Sequence, residues 1–318
     1  MIRKLLVLIL AVTMIGGLVS GRVSAASPPQ GITVSPAFQL VTIDAGAAQQ
    51  PVSFTITNNE ASAQNLNFSV QDFNTLNESG GLFFVGTNPT ALQKKYGLAK
   101  WFSLPSSNLV IQPKQTVKLN ASILNLPTLS AGGHYGALMI SIGSAQSKAG
   151  QVGLHPIASS LLFVTKTDGA THSLSLANVS FKHSWYNFPN QVMLRFQNTG
   201  NTHLVPRGLV TIKSAAGKIV SKGIINSNSN IILPQTYRQY EVPLQKISSA
   251  NLISEYKLQV DFRFEGLDQY RSYQQKFQLL PVAKIIGIVI FVLALAALGW
   301  WFRKSHKIKP KKIRVQKQ

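Results

Sequence analysis

The residues of this chain that could carry out chemistry are few and scattered. Its six histidines form no HExxH motif and no pair at the spacing by which a helix presents two metal ligands. They are His134, His155, His172, His183, His203 and His306. The GxSxG, Walker and GxGxxG motifs are absent, and the chain has no cysteine, which excludes disulfides, thiolate metal sites and cysteine nucleophiles. We therefore expect a non-enzymatic protein with no catalytic residue, no bound metal and no cofactor.

The acidic residues leave one catalytic alternative open. All ten lie between Asp44 and Asp268, and the closest group is Asp261, Glu265 and Asp268, along a strand and its turn. Two facing carboxylates could hydrolyse a glycosidic bond. Solvated surface charge is the more ordinary explanation, so a hydrolase is the least favoured hypothesis.

Aromatic residues in loops are the candidate binding surface. Trp185, Tyr186 and Phe188 lie in the loop His183–Asn190, and Phe83 and Phe84 lie in the long segment from Asn74 to Lys100. Such rings offer flat apolar faces to a glycan or a protein partner.

Each of these aromatic groups also has a purely structural interpretation. Trp185 can pack into the end of its own domain. Phe83 and Phe84 can close one end of the first domain together with Trp101, which we expect in the core.

The elements that would position these loops are short strands. Val52, Phe54 and Ile56 alternate with polar residues, and the same period of two recurs up to the strand from Tyr256 to Phe264. Many alternating strands separated by turns indicate an all-β protein with two tandem immunoglobulin-like β-sandwich domains. The polar stretch Thr165–His172 divides the predicted domains, 27–167 and 171–281. Each half has a strand followed by an Asn-rich turn, which indicates a duplicated architecture.

One short helix is expected within the first domain. Asn88 can cap it, Pro89 suits the first turn, and Gly97 can end it after Lys94, Lys95 and Tyr96.

Both ends of the chain have membrane signals. Residues 1–25 read as a signal peptide that is cleaved after Ala25, although an uncleaved anchor fits the same pattern. Residues 285–302 are uncharged and long enough for a transmembrane helix, with Trp300 and Trp301 at the membrane interface beside Arg303 and Lys304. The basic tail 303–318 places the C-terminus in the cytoplasm, with the domains outside. The tail either attracts anionic lipid or acts only as a stop-transfer signal.

The charge is uneven along the chain. The net charge is +21, but eight of the basic residues lie in the last sixteen positions, and the segment Ser27–Val282 carries only +9. This segment has no basic stripe, so we expect no nucleic-acid partner.

Several segments resemble a known family of Gram-positive surface proteins. VSFTITNNEASAQNLNFSVQDF, WFSLPSSNLVIQPKQTVKLNASI and AGGHYGALMISI resemble the first domain of WxL-interacting proteins, itself similar to the immunoglobulin-like domain of pilus chaperones. RFQNTGNTHLVPRGLVTIKSAAGKIV and NIILPQTYRQYEV are similar to the second domain of such proteins. The resemblance implies a first domain that contacts peptidoglycan and a second that docks a surface protein. The aromatic run Trp185–Phe188 and the short loops depart from the family pattern.

The sequence therefore predicts a single-pass protein of a bacterial cell membrane that binds peptidoglycan, another cell-wall polymer or a surface protein through its β-sandwiches. The alternative is an accessory or sensor subunit that joins a membrane complex through its helix.

Overall fold

The computed structural model describes residues 30–142, 157–181, 188–250, 254–278 and 282–305. Within these ranges the chain forms two antiparallel β-sandwiches followed by a long helix. This architecture confirms the predicted fold class. The signal segment 1–25, Trp185, Tyr186 and the tail beyond Ser305 lie outside the described residues.

The described residues of the first sandwich form ten strands in two sheets. One sheet has the order β1-β3-β8-β6, and the other has the order β2-β10-β9-β4-β5, with β7 also paired to β4. The strands are β1 (Ile32–Ser35), β2 (Phe38–Ile43), β3 (Gln49–Asn58), β4 (Gln64–Thr75), β5 (Leu82–Phe84), β6 (Phe102–Ser103), β7 (Asn108–Ile111), β8 (Thr116–Leu124), β9 (Gly132–Ile142) and β10 (Ile157–Lys166). All pairs are antiparallel except β2 with β10.

The core of the first sandwich follows from strand periodicity. Phe54 and Ile56 of β3 and Leu66 and Phe68 of β4 are buried between the sheets, as their alternation with polar residues predicts. Trp101 joins this core, which confirms its predicted burial, and its indole nitrogen donates a hydrogen bond to Thr128 Oγ1 at 3.0 Å.

The predicted helix of the first domain exists but begins later than expected. Helix α1 spans Ala91–Tyr96, and Thr90 is its N-cap instead of Asn88. Thr90 and Gln93 exchange hydrogen bonds in a capping box, a reciprocal pairing that Asn88 could not make without a Glu or Gln three residues later. The helix ends at Gly97 as predicted, and a 3₁₀ turn, Ala99–Trp101, follows.

In the second sandwich, the part of the chain that the structure describes forms eight strands. One sheet has the order β11-β12-β15, and the other has the order β16-β14-β13-β17-β18. The strands are β11 (Leu174–Phe181), β12 (Gln191–Asn198), β13 (Arg207–Ser214), β14 (Ile219–Ile225), β15 (Tyr237–Pro243), β16 (Gln245–Lys246), β17 (Glu255–Arg263) and β18 (Arg271–Gln278). Tyr256, Leu258, Val260 and Phe262 of β17 all point into the core, as the sequence predicts.

A buried asparagine closes the same turn in both sandwiches. Asn58, at the end of β3, accepts a hydrogen bond from Glu60 N and donates to Ser62 O and Ile111 O. Asn198, at the end of β12, accepts from Gly200 N and donates to the carbonyl oxygens of Thr202 and Ile232. The two domains thus repeat the turn at side-chain level, with partners two and four residues further along the chain in each case.

Helix α2 (Val282–Ser305) follows β18 and lies outside both sandwich cores. Its stretch Ile285–Lys304 is apolar and long enough to cross a membrane, and none of it is buried in the protein. Its large apolar side chains between Ile286 and Phe302 are more than half exposed. A helix that is apolar on all sides requires an apolar environment.

Candidate functional site

No metal-binding cluster is visible in the described residues. No three His, Asp or Glu side chains among them gather as metal ligands would. Asp261 accepts hydrogen bonds from the Gln259 amide on the outer face of β17.

Two of the sequence-predicted aromatic residues lie on opposite faces of one sheet. Phe84 pairs with Phe73 across β5 and β4, and Phe83 pairs with Asn74. Phe84 is partly exposed, on the face of this sheet that is turned away from the first core. The two residues do not form one binding surface, because neighbouring residues of a strand point to opposite faces.

Phe188 lies against the core of the second sandwich. Its ring centroid is 5.0 Å from that of Tyr256 in an edge-to-face arrangement and 6.5 Å from that of Phe277. This packing favours a structural role for Phe188. Trp185 and Tyr186 remain predictions, because both lie outside the described residues.

The four predicted membrane-interface residues lie at the end of α2. Trp300 and Trp301 are exposed, the Lys304 ammonium group is 4.9 Å from the Trp300 ring centroid, and Arg303 lies in the same last turn. This arrangement has the composition of an interfacial belt followed by cationic anchors.

An aromatic cluster joins the two domains. Phe73, Tyr135 and Phe163 project from β4, β9 and β10 on the face opposite the first core, where Tyr96 of α1 and Leu233 of the second domain cover them. The ring centroids of Phe73 and Phe163 are 5.2 Å apart, and those of Tyr135 and Phe163 are 5.9 Å apart. We call these five residues, together with His203, the interdomain cluster.

His203 brings a titratable group to this cluster. Its ring centroid lies 5.8 Å from that of Tyr135 and 5.7 Å from that of Phe163, and Nδ1 is buried without a hydrogen-bond partner. Burial lowers the pKa of His203 to about 4, with a smaller contribution from the nearby His172. Burial also raises the pKa of Tyr135 well above its ordinary value. Both side chains are therefore neutral near pH 7.

An ion pair clamps the two domains together at a second point. The tip of the β4–β5 hairpin carries Glu78, whose carboxylate accepts hydrogen bonds from Arg195 Nε at 2.7 Å and Nη2 at 2.6 Å. The Glu78 carbonyl oxygen also accepts the Gln239 N–H. The Arg195 guanidinium stacks on the Tyr237 ring at 3.7 Å, and its hydrogen bonds lower the pKa of Glu78.

A third contact holds the linker between the domains. Gly133 N donates to Asn201 O at 2.7 Å, and the Asn201 side chain bonds to Thr171 N and Gly169 O. The neighbouring Gly132 has a φ of +98°, and a Cβ there would lie 2.5 Å from Asn201 O, so this close approach requires glycine at position 132.

The apolar face that holds the cluster continues to an open edge. Strand β2 is the last strand of its sheet, and Phe38 and Leu40 are 55% and 56% exposed on it. They lie beside Leu161 and Phe163 of β10 in register, and the Phe38 ring packs edge-on against Phe163 at 6.5 Å. Exposed apolar residues that continue a buried cluster are typical of an interaction site.

The backbone of β2 is also available along this edge. Leu161 N donates to Ala37 O, and Thr167 N donates to Ile43 O, so alternate residues of β2 turn their backbone groups toward β10. Phe38, Leu40 and Thr42 consequently direct theirs away from β10. Within the described ranges, no strand pairs with this side of β2.

The sequence did not single out Phe38 and Leu40, although it held one signal for them. The run from Phe38 to Ile43 is apolar on both faces, with Phe38 and Leu40 on one and Val41 and Ile43 on the other. This pattern is typical of a strand covered on both sides, yet only its inner face is covered here.

A shallow cavity of about 310 Å³ lies beside the clamp between the domains. Most of the residues that line it are polar, among them Ser79, Arg238, Gln239 and Glu241. The cavity is shallow and open to solvent, so the exposed apolar edge of β2 is the stronger candidate binding site.

Comparison with known proteins gives the general fold only. No protein-family model matches the chain, and no curated protein matches it. Similar solved structures include the class 5 fimbriae chaperone CfaA, at 10% sequence identity and a TM-score of 0.42, with 77% of this chain and 98% of that chain covered. The YadV chaperone matches at 11% identity and a TM-score of 0.36, covering 78% and 100% of the two chains. The CsuC–CsuE chaperone and tip-adhesion subunit complex of Acinetobacter baumannii matches at 10% sequence identity and a TM-score of 0.35, with 76% of this chain and 97% of that chain covered.

At these values the likeness is limited to the arrangement of two β-sandwich domains. The resemblance to WxL-interacting proteins stays a prediction from the sequence.

Proposed function

We propose that this chain is an exported, non-enzymatic protein, anchored in a membrane by α2, that binds an extended segment of another surface protein along the free edge of β2. The observation that carries the proposal is the exposure of Phe38 and Leu40 on an edge strand, next to the interdomain cluster.

The edge of β2 suits strand addition. An extended peptide can pair with the outward-facing backbone groups of Phe38, Leu40 and Thr42. Its apolar side chains can then cover the exposed side chains of Phe38 and Leu40. Natural proteins normally protect such an edge with charges or a covering loop, because it invites aggregation. Strand β2 itself, Phe38–Ile43, carries no charged residue.

The clamp between the domains supports a preformed site. Glu78 and Arg195 hold the second domain against the face that carries Phe73 and Phe163. The second domain therefore keeps a fixed position beside the exposed apolar edge of β2. Binding to a preformed surface avoids the entropy loss of ordering it.

Membrane anchoring is supported by the exposed apolar surface of α2 and by the basic residues Arg303 and Lys304 at its end. Export is supported by the signal-peptide pattern of residues 1–25. The cell-wall partner implied by the WxL resemblance, and the membrane-complex alternative, are competing outcomes of the test that follows.

The test is capture of surface proteins by the full-length chain extracted in mild detergent. The double variant Phe38→Ser/Leu40→Ser should lower capture of the bound protein by at least about tenfold, because buried aromatic and aliphatic anchors dominate interface energy. The matched control is Val110→Ser/Leu126→Ser, which removes two side chains of the same domain that are 55% and 47% exposed.

Equal capture by the wild type, the double variant and the control would reject β2 as the binding edge. Sedimentation with cell-wall sacculi, unaffected by the double variant, would instead support a wall ligand. Association that is lost only when α2 is replaced by another apolar helix would support the membrane-complex alternative.

A further inference from the structure

A row of lysines crosses the outer face of the second domain at the end nearest α2. Lys213 of β13 pairs in register with Lys257 of β17, which pairs with Lys276 of β18. Since neighbouring strands lie about 4.8 Å apart, three ammonium side chains project from one face within about 10 Å. We call these three residues the lysine row.

Most of this charge has no carboxylate partner. Lys276 pairs with Glu255 at 3.0 Å, and Lys213 donates a hydrogen bond to the neutral amide oxygen of Gln259 at 3.0 Å. In the described part of the chain, no carboxylate lies within ion-pair distance of Lys213 or Lys257. Like charges directly opposite on neighbouring strands destabilise a sheet, so the row favours an external anion.

The position of the row in the chain indicates where that anion is. Lys276 is two residues from Gln278, the end of β18, and α2 begins at Val282. Six residue steps span at most about 20 Å even when extended. If α2 crosses a bilayer, as the proposed function states, Lys276 lies within about 20 Å of the start of this helix. Lys257 and Lys213 lie one and two strands further away, about 5 and 10 Å along the row.

The opposite end of the same sheet also carries basic residues, but it lies further from α2. Arg207 and Arg263 also face each other across β13 and β17, but they lie at the far ends of these strands from the row. Arg207 and Arg263 therefore form a basic pair on the same sheet that lies further from α2 than the lysine row does, and they can serve as a control.

We propose that the lysine row binds the anionic headgroups of the bilayer that holds α2, so that the second domain leans onto the membrane surface. This inference rests on the membrane anchoring in the proposed function. The ligand is lipid phosphate, recognised by charge and not by shape. The attraction decays within a Debye length, about 8 Å at physiological salt, so it acts only when the lysine row leans onto the membrane surface, and the short connection to α2 allows that contact.

The experiment uses the full-length chain in nanodiscs. Because the sequence has no cysteine, Ala216→Cys in the turn between β13 and β14 gives a single attachment site for a fluorophore. Quenching by nitroxide-labelled lipid headgroups then reports contact with the surface. We compare phosphatidylcholine alone with a mixture of phosphatidylcholine and phosphatidylglycerol.

We expect stronger quenching in the anionic bilayer, reversed by high salt. The triple variant Lys213→Gln/Lys257→Gln/Lys276→Gln should abolish the difference, with each lysine changing the contacting population by up to about fivefold. The control Arg207→Gln/Lys222→Gln/Arg263→Gln removes the same charge elsewhere on this sheet and should preserve it.

Two results would overturn the inference while leaving the anchoring intact. The first is equal quenching in neutral and anionic nanodiscs. The second is an equal loss of quenching in both triple variants, which would indicate net charge alone. A chain that fails to enter nanodiscs at all would instead overturn the anchoring itself, and the inference with it.

Discussion

Among single residues, the buried asparagines Asn58 and Asn198 stabilise the turns through their side-chain hydrogen bonds. Asn198 is fully buried and satisfies Gly200 N, Thr202 O and Ile232 O with one side chain. Few side chains other than asparagine offer both a donor and an acceptor within so short a reach.

We therefore expect Asn198→Ala to lower the free energy of unfolding by about 2 to 4 kcal/mol, because buried backbone groups lose their partners. Chemical denaturation of the wild type and the variant measures this difference. The control Asn178→Ala changes an exposed side chain of β11 and should stay within about 0.5 kcal/mol of the wild type. Equal values for the two variants would contradict this role of Asn198.

A second effect at this scale is pH dependence from His203. Its folded pKa is about 4, whereas an unfolded histidine titrates near 6.5, so the unfolded chain binds the proton first as pH falls. The histidine's contribution to stability is complete above about pH 6.5 and declines as pH falls toward 4, by up to about 3 kcal/mol. His134 acts in the same direction, because burial lowers its pKa against the opposing hydrogen bonds to Ser130 O and Gly97 O.

Denaturation is measured at about pH 7.5 and at about pH 5. Both values lie above the range in which most carboxylates titrate, so the difference in stability between them reports the histidines. We expect His203→Phe, which keeps an aromatic ring against Tyr135 and Phe163, to lose a large part of the pH dependence. The exposed His172→Gln variant should keep most of it. An unchanged slope in His203→Phe would assign the effect to His134 alone.

At the scale of elements, the β4–β5 hairpin fixes the position of one domain on the other. The Glu78 and Arg195 side chains are about one-third exposed, at 36% and 33%, so solvent screens part of their attraction. The ion pair consequently matters more for geometry than for stability.

We expect Glu78→Gln to lower stability by less than about 1 kcal/mol and yet to broaden the distribution of interdomain distances. Spin labels on Lys118→Cys and Lys222→Cys, one in each domain, measure this distribution in a chain without native cysteine. Glu255→Gln, which breaks an ion pair within the second domain, should leave the distances unchanged. An unchanged distribution in Glu78→Gln would show that the interdomain cluster and the backbone hydrogen bonds of Glu78 O and Gly133 N set the geometry without the ion pair.

The elements also show how far sequence patterns reach. The strands β3 and β17 alternate strictly, and their buried faces were predictable from single residues. The start of α1 was predicted two residues early, because Asn88-Pro89 is itself a plausible helix start and the capping partner Gln93 decides between the two. Phe38 and Leu40 of β2 could not be recognised as surface residues from the sequence. An apolar residue in a strand is normally assigned to the core, and only the packing around it shows whether another element covers it.

For the protein as a whole, the exposed apolar surface of α2 is the feature that bears on membrane location. A helix with more than half of its large apolar side chains exposed is unstable in water unless a bilayer or another protein covers it.

We expect the full-length chain to stay with the membrane fraction after washing with high salt and after alkaline extraction. A chain ended after Gln278, at the close of β18, should be released into the soluble exported fraction. Immunoblots of the fractions measure both. Release of the full-length chain by salt alone would indicate a peripheral protein and contradict the anchoring.

Local periodicity and composition were enough to predict the fold class, the two repeated domains and the apolar helix, and to exclude cysteine chemistry. Which apolar residues stay uncovered depends instead on how distant parts of the chain pack together. Phe73, Tyr135 and Phe163 are buried by the second domain, whereas Phe38 and Leu40 on the same sheet face are not.

The same holds for charge. Lys213, Lys257 and Lys276 are far apart in the chain and meet only through strand register. The physical reason is that burial and charge clustering depend on contacts between distant segments, which no local pattern encodes.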